Sequence, residues 1–335
     1  MPLVEVEGKS LKLSNLDKVL YPAAGFHKAE VIDYYARIAP TLLPHLADRF
    51  LTLKRYPDGV DSTPFFEKNC PSFHPDWIGT NDMHDMSTRG TIKFCRIDSL
   101  AALTWIANLA ALELHTSMAV TPDADTPTMV VFDLDPGEPA DLLDCLEVGL
   151  WLRHVFSDLG LQSVVKTSGS KGLQVYVPLN TPATHDGAAD FSRTIAQVLE
   201  QAHPDRIVSL QRKELRKGKV LVDWSQNSRH KTTVCVYSLR ARPRPTVSTP
   251  LSWDEVPDVD PLSLTVLSVP GRLAERGDPW ADFGANRGTI DVLLQWWERD
   301  VENGQGELPY PPEHPKMPGE PPRVQPSRAK KPKAE

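Results

Sequence analysis

The run VVFDLDPG, residues 130–137, limits what this chain can fold into more than any other segment. Thr128 to Leu134 (TMVVFDL) is a short continuous apolar stretch closed by a Pro-Gly turn, the pattern of a buried strand. Asp133 and Asp135 stand one residue apart at its end. Residues i and i+2 of a strand point to the same side, so the two carboxylates converge. Held together, they are costly unless a cation neutralises them. Oxygen donors of this kind suit Mg²⁺ or Mn²⁺, with water or a substrate phosphate completing the shell. A solvated strand end with turn-forming aspartates would read the same way, and the pair alone names no reaction.

A third acid fits the set. Asp223 closes another apolar strand pattern, KVLVDW, residues 219–224. Joined to Asp133 and Asp135, it would complete a three-carboxylate site for two metal ions, the arrangement used in phosphoryl transfer. An Asp paired with a nearby Arg is the plainer alternative.

Between these strands the elements alternate. An amphipathic helix opens at His27-Lys28, with a kink expected at Pro40 or Pro44. Asp98-Ser99 supplies cap chemistry for an apolar helix, LAALTWIANLAALELH. A helix over 141–159 stops at Gly160, strands are expected over 161–166 and 173–179, and a helix over 188–202 follows. Strands mixed with helices of this length give an α/β or α+β sheet domain, and the Gly-rich turn at 169–172 favours an antiparallel component over a doubly wound sheet. The stretch 241–261 is proline-rich and is expected to lie extended across the surface. Nine prolines among the last 29 residues exclude a packed element over 307–335, leaving a mobile or surface-wrapping tail.

Cys70, Cys95, Cys145 and Cys235 lie far apart with no CxxC, which argues against disulfides or structural zinc and fits a reducing cytoplasm. No apolar run approaches a membrane span and no signal-peptide core opens the chain, so no membrane partner is expected. The net charge of −7 hides an uneven distribution. Residues 206–244 hold eleven Lys and Arg against Glu214 and Asp223, a net of +9. Such a patch can hold a polyanion while the remainder repels one; a solvated charged face is the bland alternative.

The turn TSGSKG, residues 167–172, lets backbone N–H groups approach phosphate oxygens, with Ser168, Ser170 and Lys171 adding donors. It lacks Walker spacing and reads equally as a plain hairpin. His115 is read at the end of the apolar helix, either a satisfied core histidine or a donor to a nucleotide. Arg240 either pairs with a phosphate or coats the surface. Phe65-Phe66 is core or, if exposed, a platform for base stacking. Lys18 and Lys28 are solvated or form a phosphate pocket.

The stretches NLDKVLYP, KRYPDG, FFEK, AALELH, VVFDLDPG, TSGSKGLQVYVPL, VLVDWSQN, KTT, YSLRAR and PPRVQPSRAK, in that order along nearly the whole chain, together resemble the polymerase domain of bacterial ligase D and its stand-alone relatives in the archaeo-eukaryotic primase superfamily. The resemblance implies an RRM-like catalytic sheet of antiparallel or mixed strands, about 121–300, joined to an N-terminal α/β module, about 1–120, in one catalytic domain over 1–306. It implies that Asp133, Asp135 and Asp223 hold two Mn²⁺ or Mg²⁺ ions. His115, Ser168, Ser170, Lys171, Gln174 and Arg240 would bind an NTP or dNTP. Lys18 and Lys28 would receive the 5′-phosphate of a gap, Phe65 and Phe66 would stack near the template, and Lys54, Arg229 and Lys231 would meet DNA backbones. A departure falls at Gln174, where the family usually has histidine; an amide carries no charge and cannot titrate.

The expectation is a template-directed nucleotidyltransferase on gapped or broken DNA, with no nuclease or ligase module on either side. It would work in the cytoplasm at the nucleoid, beside a separate ATP-dependent DNA ligase and end-joining or excision-repair proteins. Two rivals stand against it. A haloacid-dehalogenase-like phosphatase would share the strand-end DxD, but Pro136-Gly137 follows where such enzymes usually have Thr or Val. A non-catalytic module recruiting a ligase to DNA ends would use the same basic patch.

Overall fold

Period-two alternation in one strand decides how the layers are arranged. In the computed structural model, which describes residues 2–85, 90–283 and 288–291, the DxD run is a strand whose Phe132 meets Phe156 and Phe191 at ring-centroid distances of 5.1 and 6.1 Å. Those two rings belong to helices, so alternation turns Asp133 and Asp135 to the opposite face.

Two sheets carry the molecule. The first holds Arg49–Arg55 (β1), Phe65–Glu67 (β2), Ala111–Val120 (β3) and Asp123–Pro127 (β4), in the order β4-β3-β1-β2. The second holds Met129–Pro136 (β5), Val164–Thr167 (β6), Leu173–Pro178 (β7), Ile207–Val208 (β8) and Val220–Asp223 (β9). Thr232–Val234 (β10) returns to pair with β3, and Pro250–Leu251 (β11) extends the second sheet beyond β6, giving β8-β9-β5-β7-β6-β11. The helices are Lys28–Leu46 (α1), Leu100–Asn108 (α2), Leu142–Asp158 (α3), His185–Ala202 (α4) and Val269–Arg276 (α5). In chain order, β5-α3-β6-β7-α4-β9 is a split βαβ unit, antiparallel throughout its four central strands.

The helix starts follow local chemistry. Asp141 accepts from Leu143 N at 2.8 Å while Asp144 accepts from Asp141 N at 2.9 Å, a reciprocal cap on α3. Ser99 accepts from Ala102 N and caps α2. The α1 helix runs through both Pro40 and Pro44. One continuous hydrophobic core joins the sheets, running from Leu11 to Ile290.

Three expectations need correction. The apolar helix ends at Asn108; Ala110 takes a positive φ of 57°, and AALELH continues as β3. His115 is therefore a mid-strand residue, because pairing with β1 and β10 satisfies its backbone where a helix would leave the sheet open. Cys70 and Cys95 form a disulfide: a backbone bond from Cys70 N to Lys93 O draws the loop against a strand, a proximity that a separation of 25 residues conceals. Cys145 and Cys235 remain free and buried. Finally, residues 245–251 are buried rather than draped over the surface, since β11 completes the sheet edge. The 307–335 tail lies outside the described residues.

Backbone proximity constrains one glycine sharply. A Cβ on Gly172 would sit 2.1 Å from the Leu134 carbonyl oxygen, and β5 and β7 would have to part. Gly172→Ala should lower unfolding stability by about 3 kcal/mol, measured by urea denaturation. An unchanged midpoint would refute that close packing.

Candidate active site

Register, rather than loop placement, assembles the acids. On β5 and β9, Asp133 pairs directly opposite Asp223, and Asp135 lies two residues along on the same face. On the other side of β5, Asp133 pairs with Gln174, which in turn pairs with Lys166 on β6. A single row thus runs Asp223–Asp133–Gln174–Lys166 across four strands. Gln174 Nε2 donates to Asp133 Oδ1 at 3.0 Å, and Lys166 Nζ donates to Gln174 Oε1 at 2.5 Å.

Charge is concentrated here. Burial and then repulsion from Asp135 and Asp223 push the Asp133 carboxyl up to about 8. The surrounding protein and the Asp223 charge raise Asp135 as well, against Arg216 and Arg240, although its side chain still reaches solvent. Asp223 is buried and well supplied with donors. Its Oδ1 accepts from Gln211 Nε2 at 2.6 Å and from the Ser225 amide and hydroxyl, and its Oδ2 accepts from Gln226 Nε2 at 2.8 Å. Three hard carboxylate donors on one face, two of them with pKa values raised by burial and then by repulsion, suit a divalent cation chemically. As the side chains stand, no group of three or more His, Cys, Asp or Glu among the described residues is arranged to hold a metal. The protein donors on Asp223 occupy the positions a cation would seek.

Beside the acids, Glu113 on β3 organises a second cluster that sequence reasoning passed over. His115 Nε2 donates to its Oε2 at 3.0 Å, Lys54 Nζ lies 3.4 Å from the same oxygen, and Arg240 Nε is 3.3 Å from Oε1. The Ala241 amide also donates to Oε1, at 3.0 Å. Burial opposes ionisation of Glu113, but the His115 hydrogen bond and the charges of Arg240, His115 and Lys54 outweigh it, holding the carboxyl far below the usual range. Burial lowers the His115 pKa, with Arg240 and Lys54 adding to it against the pull of Glu113. A single charge between Leu112 and Leu114 was the available signal. The Phe66 ring sits edge-on to His115 at 6.0 Å, with Lys54 over its face at 5.3 Å, while Arg55 covers Phe65 at 5.0 Å. Both phenylalanines are exposed.

The Gly-rich turn is tied inward. Ser168 Oγ accepts from the Ser170 and Gly172 amides, and Arg240 Nη1 donates to the Ser168 carbonyl at 2.7 Å, joining turn and Glu113 cluster. Lys171 is exposed and reaches Glu138. The remaining cations are dispersed. Lys18 pairs with Asp58 at 2.8 Å, and its carbonyl accepts from Lys28 N. Lys28 is buried with Nζ on the Ser14 carbonyl at 2.7 Å; burial and then the charges of Lys18 and Arg55 lower its pKa to about 8. Arg229 pairs with Asp125, and Lys231 Nζ donates to Ser225 Oγ beside Asp223. The +9 segment is also partly spent internally, Arg206 bridging Asp144 and Glu147.

Fold and acid row fall in the primase-polymerase class. The family model described as "LigD, primase-polymerase domain" matches residues 27–280, and the chain belongs to that family. It is 43% identical over 288 residues to the multifunctional non-homologous end joining protein LigD of Mycolicibacterium smegmatis, covering 85% of this chain and 38% of that protein. The bifunctional LigD of Bacillus subtilis is 32% identical over 278 residues, with 82% and 44% covered. The chain therefore spans less than half the length of these relatives. Among solved structures, the polymerase domain of Mycobacterium tuberculosis ligase D in complex with DNA matches with a TM-score of 0.77 and 42% identity, covering 82% of this chain and 98% of that one. Among the described residues, no helix is long and apolar enough to cross a membrane.

The Glu113 cluster yields a signed pH test. A carboxyl depressed by folding contributes stability above its unfolded pKa and loses it as pH falls toward the folded value. Glu113→Gln should cost about 3 kcal/mol near neutrality, because it removes the buried charge that holds the half-buried Lys54 and Arg240. The gap from the unsubstituted chain should be full above about pH 5 and shrink below it. Thermal melts from pH 7 to pH 3 read the difference; a gap that widens on acidification would contradict the assignment.

Proposed function

We propose that this chain is a template-directed nucleotidyltransferase that fills short gaps or extends ends in broken DNA, tolerating ribonucleotides and able to prime. The observation that carries the reading is the cross-strand pairing of Asp133 with Asp223, with Asp135 on the same face. The polymerase-domain likeness, found with DNA bound in the Mycobacterium tuberculosis structure, supports it.

Asp133, Asp135 and Asp223 are the residues to hold two Mn²⁺ or Mg²⁺ ions. Bound there, the ions would lower the pKa of a primer 3′-hydroxyl and offset charge on a leaving pyrophosphate. The chain's own groups supply the rest. Lys171, exposed at the tip of the turn, and Arg240, fixed by Glu113, draw in the triphosphate of an NTP or dNTP. Ser168 and Ser170 shape the turn that receives it, and His115, its Nε2 proton given to Glu113, offers Nδ1 as an acceptor to the sugar. Phe65 and Phe66, open to solvent, offer faces for template bases. Lys18 and Lys28, drawn together by a backbone bond, receive a 5′-phosphate, while Lys54, Arg229 and Lys231 meet the strand backbones. The continuous core from Leu11 to Ile290 supports one catalytic unit over those residues, and the unit is taken to extend over 1–306. Its setting is the nucleoid, in company with an ATP-dependent ligase and end-joining or excision-repair proteins.

Primer extension on a 5′-phosphorylated gap, compared with an unphosphorylated gap and with no primer, tests the reading. Extension should be strongest on the phosphorylated gap, and Lys18→Ala with Lys28→Ala should erase that preference. Asp133→Ala with Asp135→Ala should abolish extension, a loss of at least about 10³-fold, while DNA binding persists. Salt-sensitive binding without any incorporation by the unsubstituted chain would instead identify a non-catalytic end-binding module.

A further inference from the structure

Gln174 is the amide in the middle of the four-strand row, and the groups around it leave it one orientation. As an ammonium, Lys166 carries only donors, so its bond at 2.5 Å then requires the amide oxygen to face it, and the Tyr176 hydroxyl meets the same oxygen. Tyr176 donates to the same oxygen at 3.1 Å and is itself bonded to Thr233 Oγ1 at 2.9 Å, across to β10. Lys166 is fixed in turn by Ser248 Oγ at 2.7 Å, whose own proton goes to the Thr167 carbonyl. Lys166, Gln174 and Tyr176 are all buried. Flipping the amide would set an NH₂ group against the Lys166 ammonium and the Tyr176 hydroxyl. The amide nitrogen is therefore directed at Asp133 Oδ1.

We infer that Gln174, locked by Lys166 and Tyr176, is a positioning residue that orients the Asp133 carboxylate toward a divalent cation, and is not itself a ligand of the triphosphate. The inference rests on the reading of Asp133 as a metal ligand. An amide donating to Oδ1 restrains rotation of the carboxylate and leaves Oδ2 for the cation. It also stands between Lys166 and Asp133, so Asp133 is not tied up in a direct ion pair. Supports of this kind around metal ligands change affinity or activity by about 10–100-fold when removed.

The test measures Mn²⁺ binding by electron paramagnetic resonance on the full chain without DNA or nucleotide, for Gln174→Leu, Lys166→Met and the double variant. Primer-extension kinetics, separating kcat from nucleotide KM, run alongside. Each single variant should weaken Mn²⁺ binding about tenfold and lower kcat, with nucleotide KM within about twofold of the unsubstituted chain. The double variant should be no worse than Gln174→Leu, because the two residues act in series. Unchanged Mn²⁺ binding with a raised nucleotide KM would overturn the inference and make the amide a triphosphate ligand. If Lys166→Met fails to fold, Tyr176→Phe, which removes one donor to the amide oxygen and keeps the ring, should shift Mn²⁺ affinity in the same direction. An unsubstituted chain that neither binds Mn²⁺ nor extends a primer would defeat the catalytic reading, and this inference with it. One that does both while every variant matches it would defeat the inference alone.

Discussion

Repulsion among carboxylates at the centre of the second sheet is the constraint around which its surroundings are arranged. Asp133 and Asp223 face one another across paired strands with Asp135 close by, and burial makes the Asp133 charge more costly. The fold offsets this with oriented donors more than with direct ion pairs. Gln174 donates to Asp133; Gln211, Ser225 and Gln226 donate to Asp223; Arg216 and Arg240 act on Asp135 from nearby. A carboxylate held by neutral donors keeps its charge available for a cation, whereas an arginine in direct contact would consume it.

The second organising group, Glu113, uses the opposite arrangement. Its charge is met by His115, Lys54 and Arg240, so three groups from three strands or loops are pinned to one acid. Arg240 then reaches the Ser168 carbonyl, tying the Gly-rich turn to the first sheet. The two sheets are thereby coupled: the one bearing the acids and the one bearing Phe66 and His115 share one hydrogen-bonded seam.

Much of this was legible in the sequence, for physical reasons that differ by residue. The DxD strand and KVLVDW were readable because apolar runs fix strand identity and alternation fixes side-chain direction. Ser99 was readable because capping is local. The break at Asn108 was not, since LAALTWIAN and AALELH are equally apolar and only pairing with β1 and β10 decides that the second half extends. Lys166 and Gln211 carried no signal, because their partners come from strands and loops distant in sequence. The Cys70–Cys95 bridge was missed for the same reason. Residues 245–251 misled through composition: prolines suit an exposed segment, yet the sheet edge needed covering.

Because neighbouring strands set the position of every acid, the molecule separates what can drift from what cannot. Residues joining β7 to α4 can lengthen or shorten without moving Asp223, as long as β9 meets β5 in the same pairing, whereas the stretch from α4 to β9 carries β8 and Gln211 and is tied to Asp223. A slip of a single residue within β9 would turn Asp223 toward the helices and bring Val222 or Trp224 to the face that carries Asp133. Divergence among chains built on this plan is thus expected to collect in connecting segments, while the length of four short strands stays fixed.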